Sequence, residues 1–384
     1  MKKIVLSTLA ALSLATVASA DAFYQDANGQ VFTKAGEGRT LIKSTEVKSM
    51  TDRIDLSMLA YIGYYNQDFR EKGNVDKNDF ETRRMYFQAK AYLDGSKKDY
   101  FRLTYDAFVS GNGNYQNAAI KYAYLYLDKI LPFTDIEIGQ AHTTLLDYEE
   151  GHSWAYRSID NVFTEENNGP KLYASAGRGF DLKTNTQYFS SEIGVYNNAG
   201  YHDTEKTTNS NGMGMDYEGR FTLHALGTGT DYKTAHTYWD ISLLAKHNVN
   251  ATTAGDNIDG FGIHTVYNTQ PLLVSAQYWN LPDTNSGTAT STNAGTGYSV
   301  NVEGRMGEKD QYHAFARLDN WKHKQAAGVE EYAQRTYIVG AAWDMNKNVQ
   351  WQANVITYDN QHNTTNTSTS DNYNKYMLTA QVSF

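Results

Sequence analysis

The chain has 384 residues with no cysteine, 30 tyrosines, only four prolines and a formal net charge of −9 at pH 7. The lack of cysteine excludes a small secreted domain held together by disulfides, and the negative charge disfavours nucleic acid as a partner. Abundant tyrosine with frequent glycine, asparagine and threonine is typical of many half-buried strands joined by polar turns.

The amino-terminus has the features of a secretory signal peptide. Two lysines follow Met1, residues 4–18 are mostly apolar, and Ala18-Ser19-Ala20 forms a small-x-small cleavage site. The apolar stretch is shorter than the roughly 20 residues that a membrane-spanning helix needs. We therefore expect residues 1–20 to be removed on export. The mature chain then has a net charge of −11, because two lysines leave with the signal.

Sixteen later segments have the two-residue alternation of β-strands. They lie near 52–66, 80–93, 99–109, 117–127, 134–142, 169–177, 186–197, 213–225, 235–247, 257–267, 271–280, 297–306, 310–319, 332–343, 348–358 and 373–384. Short turns alternate with long segments rich in Asn, Thr, Gly and Ser, as outer-membrane barrels have short periplasmic turns and long extracellular loops. The sequence predicts an all-β fold, a transmembrane antiparallel β-barrel of about 16 strands over residues 51–384. A soluble β-sandwich is the alternative, but its turns would not sort by length.

Within these segments the charged side chains share one face and the apolar ones share the other. In 80–93, for example, Phe87 and Ala89 alternate with Arg84 and Lys90. A charge facing lipid at the bilayer midplane costs about 2–4 kcal/mol, so the charged face should be wet. In 118–127 three tyrosines alternate with alanine and leucine, and either row could face lipid. The predicted pore-lining residues are Arg84, Lys90, Arg102, Asp106, Asp216, Glu218, Arg220, Asp240, Lys246, Glu303, Arg305 and Arg317.

Three stretches of the chain resemble the phosphate-selective porin O/P family. Residues 80–95 with 99–106 resemble its early hairpin, Ile136 to Gln140 the strand before its long inward loop, and 340–358 its last hairpin. The resemblance implies a sixteen-stranded, trimeric porin of the Gram-negative outer membrane, with residues 21–50 as a periplasmic amino-terminal segment. It also implies passive diffusion of small hydrophilic solutes and ions through a water-filled channel, with no enzyme activity and no cofactor.

Segment 143–168 is the expected inward-folding loop, and it carries six carboxylates against one arginine, a balance of −5. An acidic constriction repels phosphate, and the predicted lumenal cations are interleaved with carboxylates rather than arranged in a row of one sign. We expect a weakly selective pore that leans toward cations, in which neutralising Glu149, Glu150 and Asp160 together shifts the reversal potential toward anions. The alternative is a surface loop outside the pore. The predicted constriction residues are Asp147, Glu149, Glu150, Arg157 and Asp160.

Candidate catalytic and metal-binding residues are sparse. His152 beside Ser153 comes nearest to a catalytic pair, but nothing in the sequence orders them as base and nucleophile. His142 and His152 flank three carboxylates on a loop, which is a weak signal for metal. We expect no catalytic residue and no metal site. An outer-membrane barrel hydrolase or an adhesin is the alternative class.

The last nine residues alternate an apolar face with a small or polar one and end in an aromatic residue. Phe384 has Val382 two positions before it and Tyr376 eight before it. This pattern resembles the signal that the barrel-assembly machinery recognises in its clients. We expect these three residues to form an assembly signal, with that machinery and outer-membrane lipid as partners.

Overall fold

The structure is a computed structural model that describes residues 23–26, 30–32, 36–42, 53–70, 75–109, 116–165, 169–197, 201, 214–230, 236–249, 259–282, 294–324, 332–360 and 372–384. The predicted signal peptide, Glu166 and most of the long polar loops lie outside these ranges. Among the described residues, no helix has the length and apolar character needed to cross a membrane.

Residues near the amino-terminus form a small antiparallel sheet. Its strands are β1 (Phe23–Asp26), β2 (Val31–Phe32) and β3 (Arg39–Ile42), in the order β2-β1-β3. The Asp26 carboxylate accepts a hydrogen bond from the backbone amide of Gln30 (2.9 Å). The Arg39 guanidinium lies 3.5 Å from the centre of the Phe32 ring. Sequence alternation assigned no strand here, because segments of two to four residues are too short to show a period.

Sixteen antiparallel strands close into a barrel, which confirms the predicted fold class. The last strand pairs with the first, with Tyr376 opposite Asn66 and Ser383 opposite Leu59. The Phe384 amide donates to the Met58 carbonyl (2.9 Å) and completes this seam. The strands are β4 (Ile54–Phe69), β5 (Lys77–Tyr92), β6 (Tyr100–Val109), β7 (Gln116–Leu131), β8 (Thr134–His142), β9 (Ala176–Asn185), β10 (Phe189–Asn197), β11 (Met215–His224), β12 (Tyr238–Val249), β13 (Asp259–Asn268), β14 (Leu272–Leu281), β15 (Gly295–Met306), β16 (Tyr312–His323), β17 (Tyr332–Asn346), β18 (Val349–Asn360) and β19 (Tyr373–Ser383).

The two faces of the barrel wall differ in chemistry. On β11, Phe221 and Leu223 are 45% and 52% exposed on the outside, whereas Glu218 and Arg220 are buried inside. The same alternation runs along the neighbouring strands, because successive side chains of a strand point to opposite faces. Large apolar side chains therefore cover the outer surface, as contact with lipid requires.

One predicted strand is misplaced. The sequence analysis put a strand at 169–177, but β9 runs from Ala176 to Asn185. Leu172 and Tyr173 suggested an apolar row, yet both are buried in the loop before the strand, where Tyr173 packs against the Trp279 ring. The alternation of the true strand is hidden because its first half contains two glycines, which carry no side chain.

Residues 143–165 and 169–175, here called the inner loop, turn into the barrel and include the helix α1 (Leu146–His152). Their apolar side chains pack against inward-facing residues of the barrel wall, so the loop has its own core. The loop residues of this core are Leu145, Leu146, Tyr148, Trp154, Tyr156, Ile159, Val162, Phe163, Leu172 and Tyr173. The wall residues are Leu244, Trp279, Leu281, Phe315, Trp321, Ile338, Ala342, Ile356 and Met377.

Candidate functional site

Cations of the barrel wall hold the inner loop by its backbone. Each donates to one or two carbonyl oxygens of the loop, and hydrogen bonds from charged groups are stronger than neutral ones. The bonds run from Arg83 to Ser158 and Ile159 (2.8 Å each), from Arg220 to Thr144 (3.2 Å), from Lys246 to Leu172 (2.8 Å) and from Arg317 to Asn161 (2.6 Å). Their positions on four different strands fix the loop across the barrel.

Most charges predicted to line the pore occur as neighbouring pairs on the wall. Arg84 meets Asp106 (3.5 Å), Lys246 meets Asp216 (2.8 Å) and Glu218 (3.2 Å), Arg220 meets Glu192 (2.9 Å), His224 meets Asp240 (2.7 Å), Arg305 meets Glu303 (2.7 Å), and Arg317 meets Asp319 (2.5 Å). Lys90 lies over the Tyr100 ring, with its Nζ 4.8 Å from the ring centre. Cations and carboxylates therefore alternate around the wall, and neither sign forms a continuous row.

The inner-loop carboxylates divide into two sets. The Asp147 side chain is 58% exposed and that of Glu150 28%, whereas Glu149 is buried at 3%. Glu149 turns toward the wall, where it accepts from the Gln277 amide, and it also accepts from Thr164 Oγ1 of the loop itself. Only the first two of these carboxylates border the open space beside α1.

The remaining predicted constriction residues lie within the loop itself. Arg157 is buried and pairs with Glu150 and with Glu165 (2.5 Å). Asp160 is half-buried, and its backbone carbonyl accepts from Trp154 Nε1 (2.9 Å). The loop therefore neutralises part of its own charge.

Two cavities border α1. The first, of about 440 Å³, is lined by Asp147, Lys183, Glu192, Arg220, His224 and Tyr238 among others. The second, of about 330 Å³, is lined by Asp147, Tyr86, Arg102, Lys121, Tyr122 and Glu150 among others. Asp147 borders both, and each cavity is lined by charges of both signs.

The residues nearest to a catalytic pair bond to different partners. His152 Nδ1 lies 2.8 Å from the Tyr148 carbonyl oxygen, and its ring stacks on the Tyr148 ring. Ser153 Oγ donates instead to the Glu149 carbonyl (3.1 Å). The other loop-flanking histidine, His142, has its Nδ1 3.1 Å from Glu137. In the part of the chain that the structure describes, no three His, Asp or Glu side chains are arranged to hold a metal ion.

Sequence alternation missed three inward-facing cations. Lys183 lies between Asp181, Glu137 and Glu192 at 3.2–3.5 Å, but the misplaced strand left it in a turn. Arg83 is next to the inward-facing Arg84, so a strict two-residue period assigns it outward. Lys121 lies in the strand whose orientation alternation left open, and it is buried together with its neighbour Tyr122, which no regular two-residue period predicts.

No protein-family model matches the chain, and no curated protein matches it. Solved structures do match it, at low identity and high coverage. OprB of Pseudomonas putida is 9% identical, over 89% of this chain and 96% of that one, with a TM-score of 0.61. An anion-selective porin from Comamonas acidovorans is 12% identical, over 86% and 99%, with a TM-score of 0.60. A trimer form of OmpT, an outer membrane protein of Vibrio cholerae, is 9% identical, over 86% and 99%, with a TM-score of 0.55.

The chain has the fold of outer-membrane porins. Sequence identities this low show a shared fold and nothing more. They support a general porin architecture but not the phosphate-selective O/P family in particular.

Proposed function

We propose that this porin-fold protein is a passive channel of the Gram-negative outer membrane for small hydrophilic solutes and ions. The proposal rests on the difference between the two faces of the barrel wall. The outer face of the sixteen closed strands is apolar and exposed, whereas the inner face is charged. A barrel of sixteen strands is wide enough to leave an aqueous channel. A polar interior of that width holds water and dissolved solutes.

The pore is weakly selective in this proposal. Wall cations are paired with carboxylates, and the inner loop neutralises part of its own charge through Arg157. Asp147 is the most exposed of the predicted constriction carboxylates, and it supports the lean toward cations. Fixed charges act over a Debye length of about 8 Å at physiological salt, so those at the narrowest point weigh most. The bracketing stretches 80–106 and 340–358 support membership of the O/P family, but phosphate specificity is not part of this proposal.

The test of the channel is conductance in a planar bilayer. The purified, folded protein should give stable, ohmic, water-filled channels, with permeability ratios near one in ion-substitution experiments. Repeated reconstitutions of heat-modifiable protein without conductance would remove the channel proposal and favour the barrel hydrolase or the adhesin.

The assembly state and export route extend the proposal. We infer a homotrimer, supported by the trimer form of the similar OmpT barrel from Vibrio cholerae. Cleavage after Ala20 and delivery to the barrel-assembly machinery complete the route. Chemical cross-linking in outer membranes, resolved by electrophoresis, should give a limiting species of three chains, and a limiting monomer would contradict the trimer.

A further inference from the structure

Lys121 is a buried cation of the wall. Its side chain is 3% exposed, and its Nζ donates to the Tyr86 hydroxyl (3.4 Å). The same Nζ lies 4.8 Å from the centre of the Tyr86 ring and 5.2 Å from that of Tyr122. Its partners are therefore aromatic rings and a neutral hydroxyl.

Arg102 approaches the same ring from the neighbouring strand. Its guanidinium carbon lies 4.5 Å from the centre of the Tyr122 ring. Its nitrogens meet Thr104 Oγ1 (3.2 Å), the Tyr124 hydroxyl (3.2 Å) and His142 Nε2 (3.1 Å). These partners also bear no formal negative charge, because two of them are hydroxyls and the third is an imidazole.

These two cations differ from the ion-paired cations of the wall. Among the described residues, no carboxylate oxygen lies within 4 Å of Arg102 or Lys121. Lys246 and Arg220, by contrast, each have one within 3 Å, at 2.8 and 2.9 Å. Burying a charge is costly unless an opposite charge and hydrogen bonds accompany it. Two such cations against one ring indicate a place for an anion.

A local irregularity of β7 creates this arrangement. Successive strand residues face opposite sides, yet Lys121 and Tyr122 are both buried and both contact lumenal side chains. The register of β7 with β8 begins only at Ala123, opposite Gln140. The Gln140 amide instead donates to the carbonyls of Ile120 and Lys121. Two neighbouring residues with inward side chains break the regular alternation of the strand at this point.

Gly139 permits the irregularity on the neighbouring strand. Its φ is +129°, and a Cβ there would lie 2.5 Å from the Ala123 carbonyl oxygen. A side chain at this position would push the two strands apart. The close approach keeps Gln140 in reach of the β7 carbonyls, so the strand pair holds Lys121 inward.

Both cations line the 330 Å³ cavity, whose size is at the lower end of ligand pockets, roughly 300–1,000 Å³. Arg157 also lines it but is already paired with Glu150 and Glu165, so Arg102 and Lys121 are the lining cations left without a carboxylate within 4 Å among the described residues. Leu59 and Tyr61 add apolar surface. A monoanion with an apolar body matches this lining, whereas a phosphate dianion would add a second negative charge beside the carboxylates that line the cavity.

We propose that this cavity binds the carboxylate of a small organic acid between Arg102 and Lys121, with the apolar body of the acid against Leu59 and Tyr61. The site rests on the proposed function for its access, because the solute reaches it through the channel. Planar carboxylates suit the guanidinium fork of arginine.

Isothermal titration calorimetry of the folded barrel in detergent tests the site, with benzoate as the probe and neutral benzamide as its isostere. Benzoate should bind at least tenfold more tightly than benzamide. Lys121→Met and Arg102→Met should each weaken benzoate at least tenfold. Lys375→Met is the matched control, because Lys375 also lies over a tyrosine ring, 4.3 Å from the Tyr65 centre, but does not line the cavity.

Unchanged benzoate binding in the heat-modifiable Lys121→Met variant would overturn the site, as would equal loss in Lys375→Met. Phosphate binding as tightly as benzoate would overturn the carboxylate assignment. Bilayer conductance separates this failure from that of the channel. A barrel that conducts but does not bind benzoate would support the channel proposal and contradict the carboxylate site. A barrel that binds benzoate but does not conduct would support the site and contradict the channel.

Discussion

Two carboxylates of α1 lie two positions apart and meet different surroundings. Successive helix residues are about 100° apart, so Asp147 and Glu149 point to nearly opposite faces. The first is 58% exposed beside two cavities, and the second is buried against β14. The sequence analysis treated both as one acidic constriction, because it assigned no helix to this short segment.

Asp147→Asn should shift the reversal potential toward anions in a salt gradient across a planar bilayer, because it removes an exposed charge beside α1. Glu149→Gln is the matched control and should leave the potential within error, since its carboxylate faces the wall. A shift in the control equal to that in Asp147→Asn would mean that the total charge of the loop governs selectivity.

The inward-facing charged residues of the wall could be predicted where the strand alternation is regular. The charged rows of β11, β12 and β15 lie on the inner face because nothing interrupts their two-residue period. Lys121 could not be assigned in the same way, since its orientation depends on a side chain of another strand, Gln140, bonding to its backbone. A single-sequence pattern contains no record of such a contact.

At the level of elements, the inner loop is stabilised by its own apolar core. Phe163 is 1% exposed and packs edge-on against the Trp321 ring of β16, 6.2 Å away. Phe163→Ala should weaken docking of the loop by about 3–5 kcal/mol, the usual cost of removing a buried phenylalanine. Open-channel current noise should rise, while the barrel keeps its heat-modifiable migration on electrophoresis.

Phe221→Ala is the control for this loop variant, because that side chain is 45% exposed on the outer face of β11. Its noise should match the unmodified protein. Quiet, unchanged current in Phe163→Ala would mean that the backbone bonds from wall cations hold the loop without its core.

Elements were easier to predict in number than in position. Sixteen strands were expected and sixteen form the barrel, because each needs only one alternating face. The strand after the inner loop was predicted about seven residues too early, because Leu172 and Tyr173 are apolar residues that pack in the core of the loop and not in a strand. A prediction that assigns strands from apolar residues alone places a strand wrongly where a buried loop is also apolar.

For the whole molecule, the carboxy-terminus closes the barrel through its backbone rather than its side chain. The Phe384 amide and carbonyl both bond to Met58, and the ring is 70% exposed. Phe384→Ala should therefore alter the stability of the folded barrel little, while surface levels in cells fall severalfold because the assembly signal is lost.

Quantitative blotting of outer membranes and urea unfolding of refolded protein separate the two effects. Phe180→Ala is a suitable control, since this outward phenylalanine of β9 lies far from the terminus in sequence and is 42% exposed. Normal surface levels in Phe384→Ala, or a drop equal to that of the control, would argue against a terminal signal.

The wall cations that bond to inner-loop carbonyls contribute both to the charge of the interior and to the position of the loop. Replacing Arg83 or Arg317 to tune ion preference would also release a segment that packs inside the barrel, so the open cross-section and the electric field would change together. Among the described residues, Arg102 and Lys121 donate no hydrogen bond to the inner-loop backbone, and they line a cavity. Attempts to retune this barrel for another solute should begin at those two positions, where charge can be altered while the loop stays in place.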